Sequence, residues 1–310
     1  MQSPGELKNA AVIGLGTMGP GIAATLARAG MHVSAFDADP AKRAKAPQAF
    51  AAAAAVLAAL GVPDHAAGDV AVHDDLPRCV AGADLVVETV PEDLELKIRV
   101  FREIEAHVAE DCILASDTSG IPITRIQAGT SSPSRLIGMH WSNPPHIIPM
   151  IEVIPGEHTA PDVVRRTVEA VRRIGHLPII IRKDVPGFVE NRVLYAVMRE
   201  CLDLVEQGVI EPQDLDACVS WGIGYKLAVV GPMALLDMAG LDIYAAVGSY
   251  LNQELSNRTD VAAYITQRTA QRKLGIKTGG GIYDYTPEKI AELQSLRARK
   301  LIAVRKALQS

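Results

Sequence analysis

Between Gly138 and Ile154 the chain reads GMHWSNPPHIIPMIEVI, an apolar run broken by two histidines, an asparagine, three prolines and one glutamate. Prolines cannot donate to a sheet ladder, and a carboxylate set between Ile151 and Val153 is costly to bury without a partner. His140, twelve residues before Glu152, is a candidate for that partner. An imidazole whose other ring nitrogen is held by a carboxylate is fixed in one tautomer and serves as a general base near neutral pH. A histidine in an apolar run is also commonly just a core residue with a local hydrogen bond. Ser119, which follows CILASDT, and Asn143 are candidates to hydrogen-bond a reacting oxygen or a cofactor. Asn143 equally suits a plain turn before Pro144.

A second set of residues points to a dinucleotide. The run AAVIG leads into Gly14-Leu15-Gly16-Thr17-Met18-Gly19, and a helical pattern from Pro20 to Ala29 stops at Gly30. In such a loop the first glycine permits a tight turn, the second lets backbone approach a pyrophosphate, and the third lets helix and strand pack closely. The phosphates, with Thr17 and Met18 beside them, then meet the free N–H groups and positive dipole end of the helix. The next strand, HVSAF, ends at Asp37, 18 residues after Gly19, where a carboxylate can accept from an adenosine ribose. No arginine directly follows Asp37, so a 2′-phosphate would meet uncompensated negative charge. NAD is expected rather than NADP.

The elements that must carry these residues are legible as alternation. The runs AAVIG, HVSAFD, ADLVVETV, CILASD, RLIGMHW, MIEVI and LPIIIR are separated by helical stretches. That pattern predicts a doubly wound, mostly parallel sheet with helices on both faces, and ligands then bind beyond the carboxyl ends of the strands. His140 and Ser119 end their runs on that rim. After Pro186 the texture becomes helical: Val193, Val197, Cys201 and Val205 recur every four residues, as in a buried helix stripe ending at Gly208. Pro212 suits the first turn of another helix, and GPMALLDMAGLDIYAAV suggests closely packed helices with glycine at the contacts. The segment KDVPGF divides a nucleotide-binding domain, residues 1–185, from an all-helical domain, residues 186–310. The alanine-rich stretch 49–59 is expected to be a surface or hairpin helix.

Composition narrows the function classes. With 310 residues, 48% hydrophobic and 22% charged, the chain can bury two cores. Its net charge of -5 is spread without a basic block, which argues against a nucleic-acid partner. The N-terminus lacks the pattern of a secretory signal, and the longest apolar run, 49–62, is too short to span a bilayer. A cytoplasmic enzyme with a small-molecule substrate and no membrane partner is expected. The four cysteines (79, 112, 201 and 218) form no CxxC pair, so neither a metal nor a disulfide role is expected of them.

Taken together and in order, GLGTMG, Asp37, PEDLELK (91–97), SDTS (116–119), HWSNP (140–144), IEVIPG, DVPGFVENR (184–192), GPMALLDMAGLD (231–242) and GIKTGGGIYDY (275–285) resemble the L-3-hydroxyacyl-CoA dehydrogenases over nearly the whole chain. The resemblance implies a Rossmann-like domain followed by a helical domain through which members dimerise. It implies that His140 takes the substrate hydroxyl proton while hydride passes to NAD, with Glu152 orienting and balancing His140. It places Ser119 and Asn143 at the reacting oxygen and cofactor, Glu92, Lys97 and Lys277 along the cofactor site, and Asn191 at the substrate pocket. For Glu92 and Lys97 the plainer alternative is a solvated helical pair, and for Lys277 an ordinary loop charge.

Two departures concern the substrate. Coenzyme A carries a pyrophosphate and a 3′-phosphate, which call for basic groups. Between Ala46 and Pro77 this chain has neither lysine nor arginine, where acyl-CoA members carry a basic helical hairpin. Around the histidine it has Trp141, Ser142 and Pro149, in wording closer to relatives acting on small non-CoA anions. An aldehyde hydrate is a geminal diol, so the same base could oxidise an aldehyde. Such a substrate would need a cation and an aromatic wall, for which Arg192, Lys226 or Tyr225, with Trp141 or Trp221, are the candidates.

Overall fold

Eight strands form one sheet in the order β3-β2-β1-β4-β5-β6-β7-β8 in the computed structural model, which describes residues 7–65 and 68–309. The strands are β1 (Asn9–Ile13), β2 (His32–Phe36), β3 (Val70–Val72), β4 (Leu85–Glu88), β5 (Ile113–Ser116), β6 (Leu136–Trp141), β7 (Met150–Pro155) and β8 (Leu177–Ile180). From β1 the chain winds outward through β2 and β3, then returns to the other side of β1 at β4. That reversal makes the crevice where a doubly wound sheet binds its ligand. All neighbouring pairs are parallel except β6 with β7, which form an antiparallel pair. Seven of the eight strands correspond to the apolar runs read from sequence. The eighth, β3, spans three residues, too few for a period to register.

Helices cover both faces, as a sheet with strands buried on both sides requires. Ile22 and Leu26 of α1 (Gly19–Arg28), Phe50 of α2 (Pro40–Ala59) and Val163, Val168 and Val171 of α6 (Pro161–Arg173) share one core with Val12, Val33 and Met139. The opposite core joins Leu76 and Val80 of α3 (Leu76–Val80), Ile98, Phe101 and Ile104 of α4 (Leu94–Glu105) and Ile123 and Ile126 of α5 (Ile123–Gln127) to Val86 and Leu114. Asp39, Asp75 and Asp93 cap α2, α3 and α4 by accepting from backbone N–H groups of the first turn. The alanine-rich stretch is the second half of α2, whose side toward α1 buries Ala53 and Leu57.

The chain divides into two compact units, Met1–Asn191 and Arg192–Ser310, beside the expected boundary at 185/186. The second unit contains most of α7 (Glu190–Glu206), then α8 (Pro212–Cys218), α9 (Tyr225–Leu227), α10 (Pro232–Ala239), α11 (Leu241–Glu254), α12 (Ala263–Ala270) and α13 (Pro287–Gln309). A π-helical turn, Val219–Gly224, links α8 to α9. The expected helix with Val193, Val197, Cys201 and Val205 is present as α7, but the stripe is not buried: Val193 is 57% exposed. The reason is general to this unit. Among its described residues only Ala262 and Arg305 are buried, while Trp221, Met233, Met238 and Tyr250 are exposed. A single copy of these helices does not enclose a core of its own. Nor is glycine buried at every helix contact as the sequence suggested: a Cβ at Gly231 would meet nothing within 4 Å, and Gly240, at φ +100°, serves instead as the turn from α10 to α11.

Candidate active site

The nucleotide loop has the geometry its glycines imply. Gly14 has φ +105°, and a Cβ there would lie 2.7 Å from the Thr89 carbonyl oxygen; one on Gly19 would lie 1.9 Å from the Gly14 oxygen. Turn and helix can meet only without those side chains. Gly16 is different, since a Cβ there would meet nothing, so its missing side chain leaves open approach to the backbone. Thr17 is exposed and Met18 half-buried beside it. Met18, the N-cap of α1, supplies no side-chain acceptor, which leaves the first-turn N–H groups available to an anion.

Asp37 completes this end of the crevice. It is 8% exposed, and its carboxylate accepts from the N–H groups of Leu15 (2.8 Å) and Asp39 (2.8 Å), tying the loop to the end of β2. The negative charge expected to stand uncompensated at Asp37 has cations beside it. Positive charge does reach this site, from the first turns of α2: Lys42 Nζ lies 3.4 Å from Asp37 Oδ2, and Arg43 donates to the Asp37 carbonyl at 2.7 Å. No arginine directly follows Asp37, but a helix turn returns these cations from five and six positions on.

On the other side of the switch point lies a buried ionic cluster that only partly matches expectation. Lys97 is 1% exposed, not solvated. Its ammonium donates to Glu88 Oε1 at 2.8 Å and to the Val90 carbonyl at 3.1 Å, with Glu92 Oε2 at 3.5 Å. Glu88, fully buried, also accepts from the Ser116 hydroxyl at 2.6 Å and the Val90 N–H at 2.7 Å. Glu92 Oε1 accepts from the Thr118 hydroxyl and from the N–H groups of Ser119 and Gly120. Burial opposes the Glu92 charge, but Thr118, Lys97 and the loop N–H groups hold its carboxyl below the usual range. The cluster thus shapes the SDTS loop that presents Ser119. Glu88 escaped the sequence reading although ADLVVE carries the signal that exposed Glu152, a carboxylate ending an apolar run.

At the carboxyl end of β6, His140 and Glu152 are directly opposed across the antiparallel pair. His140 Nδ1 and Glu152 Oε2 are 2.8 Å apart, both residues are buried, and the second imidazole nitrogen is left for a substrate. Glu152 Oε1 accepts from the N–H groups of Val189 and Glu190, each at 3.0 Å. Those donors converge because the chain turns through left-handed backbone at Gly187 (φ +74°) and Phe188 (φ +47°). Phe188 is fully buried, its ring 5.8 Å from the imidazole, so it walls the base from one side. Burial favours neutral His140, but the Glu152 hydrogen bond and the charges of Asp117, Glu152 and Glu190 prevail and raise its pKa above the ordinary 6.5. Burial likewise opposes the Glu152 charge, and His140 with the two N–H groups overcomes it, lowering its pKa below 4.5.

The other candidates fall in different places. Ser119 is exposed at the rim, and its carbonyl accepts from Asn191 Nδ2 at 2.7 Å. Asn143 is exposed just past His140. Trp141 is not a pocket wall: it points to the face of β6 opposite His140, is 1% exposed, and packs edge-on against His176 at 5.3 Å. Side chains alternate along a strand, so consecutive residues cannot both face the site. Arg192, Lys226 and Lys277 are exposed residues of the helical unit, Lys277 on the single turn Ile276–Thr278. Two residues near the dyad were not singled out from sequence. Asp117 accepts from the Trp141 N–H at 2.8 Å, and burial pushes its carboxyl up to about 8. Glu190 Oε1 accepts from the Ser142 hydroxyl at 2.6 Å.

A phosphate-accepting loop at the switch point and a carboxylate-held imidazole at a neighbouring strand end define an NAD-dependent dehydrogenase. Residues 9–185 match the family described as 3-hydroxyacyl-CoA dehydrogenase, NAD binding domain, and residues 187–285 its C-terminal domain, and the chain belongs to this family. It is 58% identical, over 98% of its length and 99% of the relative's, to 5-formyl-3-hydroxy-2-methylpyridine 4-carboxylate 5-dehydrogenase of Mesorhizobium japonicum. A crystal structure of an enzyme of that name, described as an NAD+-dependent dismutase, superposes with a TM-score of 0.96 at 58% identity, covering 98% of this chain and 99% of that one. The (S)-3-hydroxybutyryl-CoA dehydrogenase of Ralstonia eutropha superposes at 0.72 with 30% identity, covering 91% of this chain and all of that one. An L-carnitine dehydrogenase of Streptomyces coelicolor is 35% identical over 77% of this chain and 76% of its own.

Proposed function

We propose that this enzyme oxidises the aldehyde of 5-formyl-3-hydroxy-2-methylpyridine 4-carboxylate, or a close pyridine relative, to the carboxylate. The observation that carries this is end-to-end identity of 58% with an enzyme of that name. The composition of residues 46–77 supports it: with no lysine or arginine there, that segment offers a CoA phosphate no cation.

NAD, held by the Gly14–Gly19 loop, the N-terminus of α1 and Asp37, supplies the hydride acceptor. We assign Glu92 and Lys97 to the same cofactor site. His140 then takes a proton from a hydroxyl of the hydrated aldehyde as the carbon becomes a carboxyl. Glu152 holds Nδ1 and balances the imidazolium, and Phe188 keeps water from one side of the ring. Ser119 and Asn143 hydrogen-bond the reacting oxygen, and Asn191 steadies the Ser119 loop through its carbonyl. The apolar side chains left exposed on the helical unit support a homodimer formed through it, and the four free cysteines support a cytoplasmic setting. Among the described residues no single helix is long and apolar enough to cross a membrane.

Formation of NADH, followed by absorbance, tests the assignment. Turnover of the pyridine aldehyde is expected. Turnover of 3-hydroxybutyryl-CoA without turnover of the aldehyde would replace it with the family's acyl-CoA activity.

A further inference from the structure

A single base suffices to oxidise an alcohol, but an aldehyde must first gain a water, and the resulting diol has two hydroxyls to hold. The structure has a second acceptor at the base. Glu190, the first residue of α7, places a carboxylate oxygen within 4.8 Å of a ring nitrogen of His140 and of a Glu152 oxygen. Two hydrogen bonds of about 2.8 Å through one water molecule span roughly 4.5 Å, which falls inside that limit.

The two carboxylates beside His140 are not equivalent. Both Glu152 oxygens are engaged, one by the imidazole and one by two backbone N–H groups. Glu190 Oε1 is engaged by Ser142, whereas Oε2 is buried and has no hydrogen-bond partner among the described residues. A buried oxygen of that kind is costly unless something donates to it. The Ser142 hydroxyl keeps the carboxylate from swinging away, and Ser142 is itself 5% exposed and therefore well fixed.

We propose that Glu190 is the water-activating residue of this site, accepting through Oε2 from the water that hydrates the aldehyde and then from the second hydroxyl of the diol. The proposal rests on the aldehyde reading above. Glu190 takes one proton of the water as its oxygen bonds to the formyl carbon and delivers it to the former carbonyl oxygen, while His140 stays neutral. Neutral His140 then removes a proton from one hydroxyl, the carbon–oxygen double bond forms, and the hydride leaves to the nicotinamide. His140 and the carboxylic acid each release a proton to solvent. The sum is aldehyde, water and NAD+ going to carboxylate, NADH and two protons. Reduction of the same aldehyde by NADH involves no water and requires His140 alone as the acid.

The test separates those two directions in Glu190→Gln and, as a milder variant that leaves the carboxylate in place but untethered, Ser142→Ala. Expected is a loss of about 100-fold or more in aldehyde oxidation by Glu190→Gln, as removal of an acid–base group typically gives. NADH-dependent reduction should stay within about fivefold of wild type, and Ser142→Ala should fall between. In apoenzyme, carbon-13 spectra of formyl-labelled aldehyde should show bound hydrate in wild type and free-aldehyde form in Glu190→Gln. Equal loss in both directions, or bound hydrate unchanged, would overturn the role of Glu190 while leaving the substrate assignment standing. Activity removed by chelation and restored by zinc would instead make the His140, Glu152 and Glu190 cluster a metal site and overturn it too. Failure of wild type to oxidise the aldehyde at all would sink both.

Discussion

His140 and Glu152 occupy directly opposed positions of β6 and β7, with Nδ1 and Oε2 2.8 Å apart. Because a strand's side chains alternate, a slip of one residue would send Glu152 to the far face, so strand register sets the geometry of the pair. His140→Ala should lower kcat by about 100- to 10,000-fold with NAD affinity nearly unchanged. Retained turnover with weakened NAD binding would mean the base lies elsewhere.

The pH dependence has a definite sign. Oxidation needs neutral His140, whose pKa is raised above 6.5, so kcat/KM should climb with pH through that raised value. Glu152→Gln removes the hydrogen-bonded charge, and the rising limb should move toward lower pH as the rate falls. Stability follows the opposite course for the imidazole: its contribution is complete below 6.5 and is lost as pH rises through the folded value. Glu152, lowered from 4.5, contributes above that value and loses its contribution as pH falls through the folded one. Thermal melts of wild type and Glu152→Gln across this range check both signs.

Lys97 and Glu88 should behave as one unit. Lys97→Met leaves a fully buried Glu88 without its cation and is expected to cost about 3–5 kcal/mol of stability. The double variant Glu88→Leu with Lys97→Met should be less destabilised than Lys97→Met alone and still bind NAD poorly. Denaturant unfolding with calorimetric NAD titration reads both quantities; strictly additive losses would show that the pair is not coupled.

Cofactor choice should turn on Asp37. With Lys42 3.4 Å from its carboxylate and Arg43 on its carbonyl, Asp37→Ala leaves two cations where a 2′-phosphate would lie. The ratio of kcat/KM for NADP to that for NAD should rise at least about tenfold, equivalent to about 1.4 kcal/mol. An unchanged ratio would place the ribose away from Asp37.

The helical unit calls for a cover over its apolar surface. Light scattering should give about twice the chain mass of 33.1 kDa, and Tm should rise with protein concentration. Trp221, 77% exposed, is a suitable probe: Trp221→Glu should shift the protein toward monomer if it lies in the interface. A monomer at all concentrations would contradict dimerisation.

The parts of this site that depend on local order were legible in sequence. The glycine loop, Asp37 at the end of its strand and the carboxylate in MIEVI all announce themselves, because each violates the apolar pattern of a strand or helix at a fixed spacing. Lys97 and Glu88 were less legible, since a lysine on PEDLELK looks like a solvated charge until α4 is laid against β4. Trp141 was misplaced for the converse reason: adjacency to His140 in sequence puts it on the opposite face of the strand.

By itself the amino-acid order determined the doubly wound class and marked the glycine loop, Asp37 and the pairing of His140 with Glu152, because periodicity and glycine placement act over a few residues. Only tertiary structure decided which groups surround that base. Gly187 and Phe188 turn two N–H groups onto Glu152, and Ser142 reaches Glu190 across 48 positions of sequence. Such contacts arise from strand register and chain reversal, which no local spacing encodes.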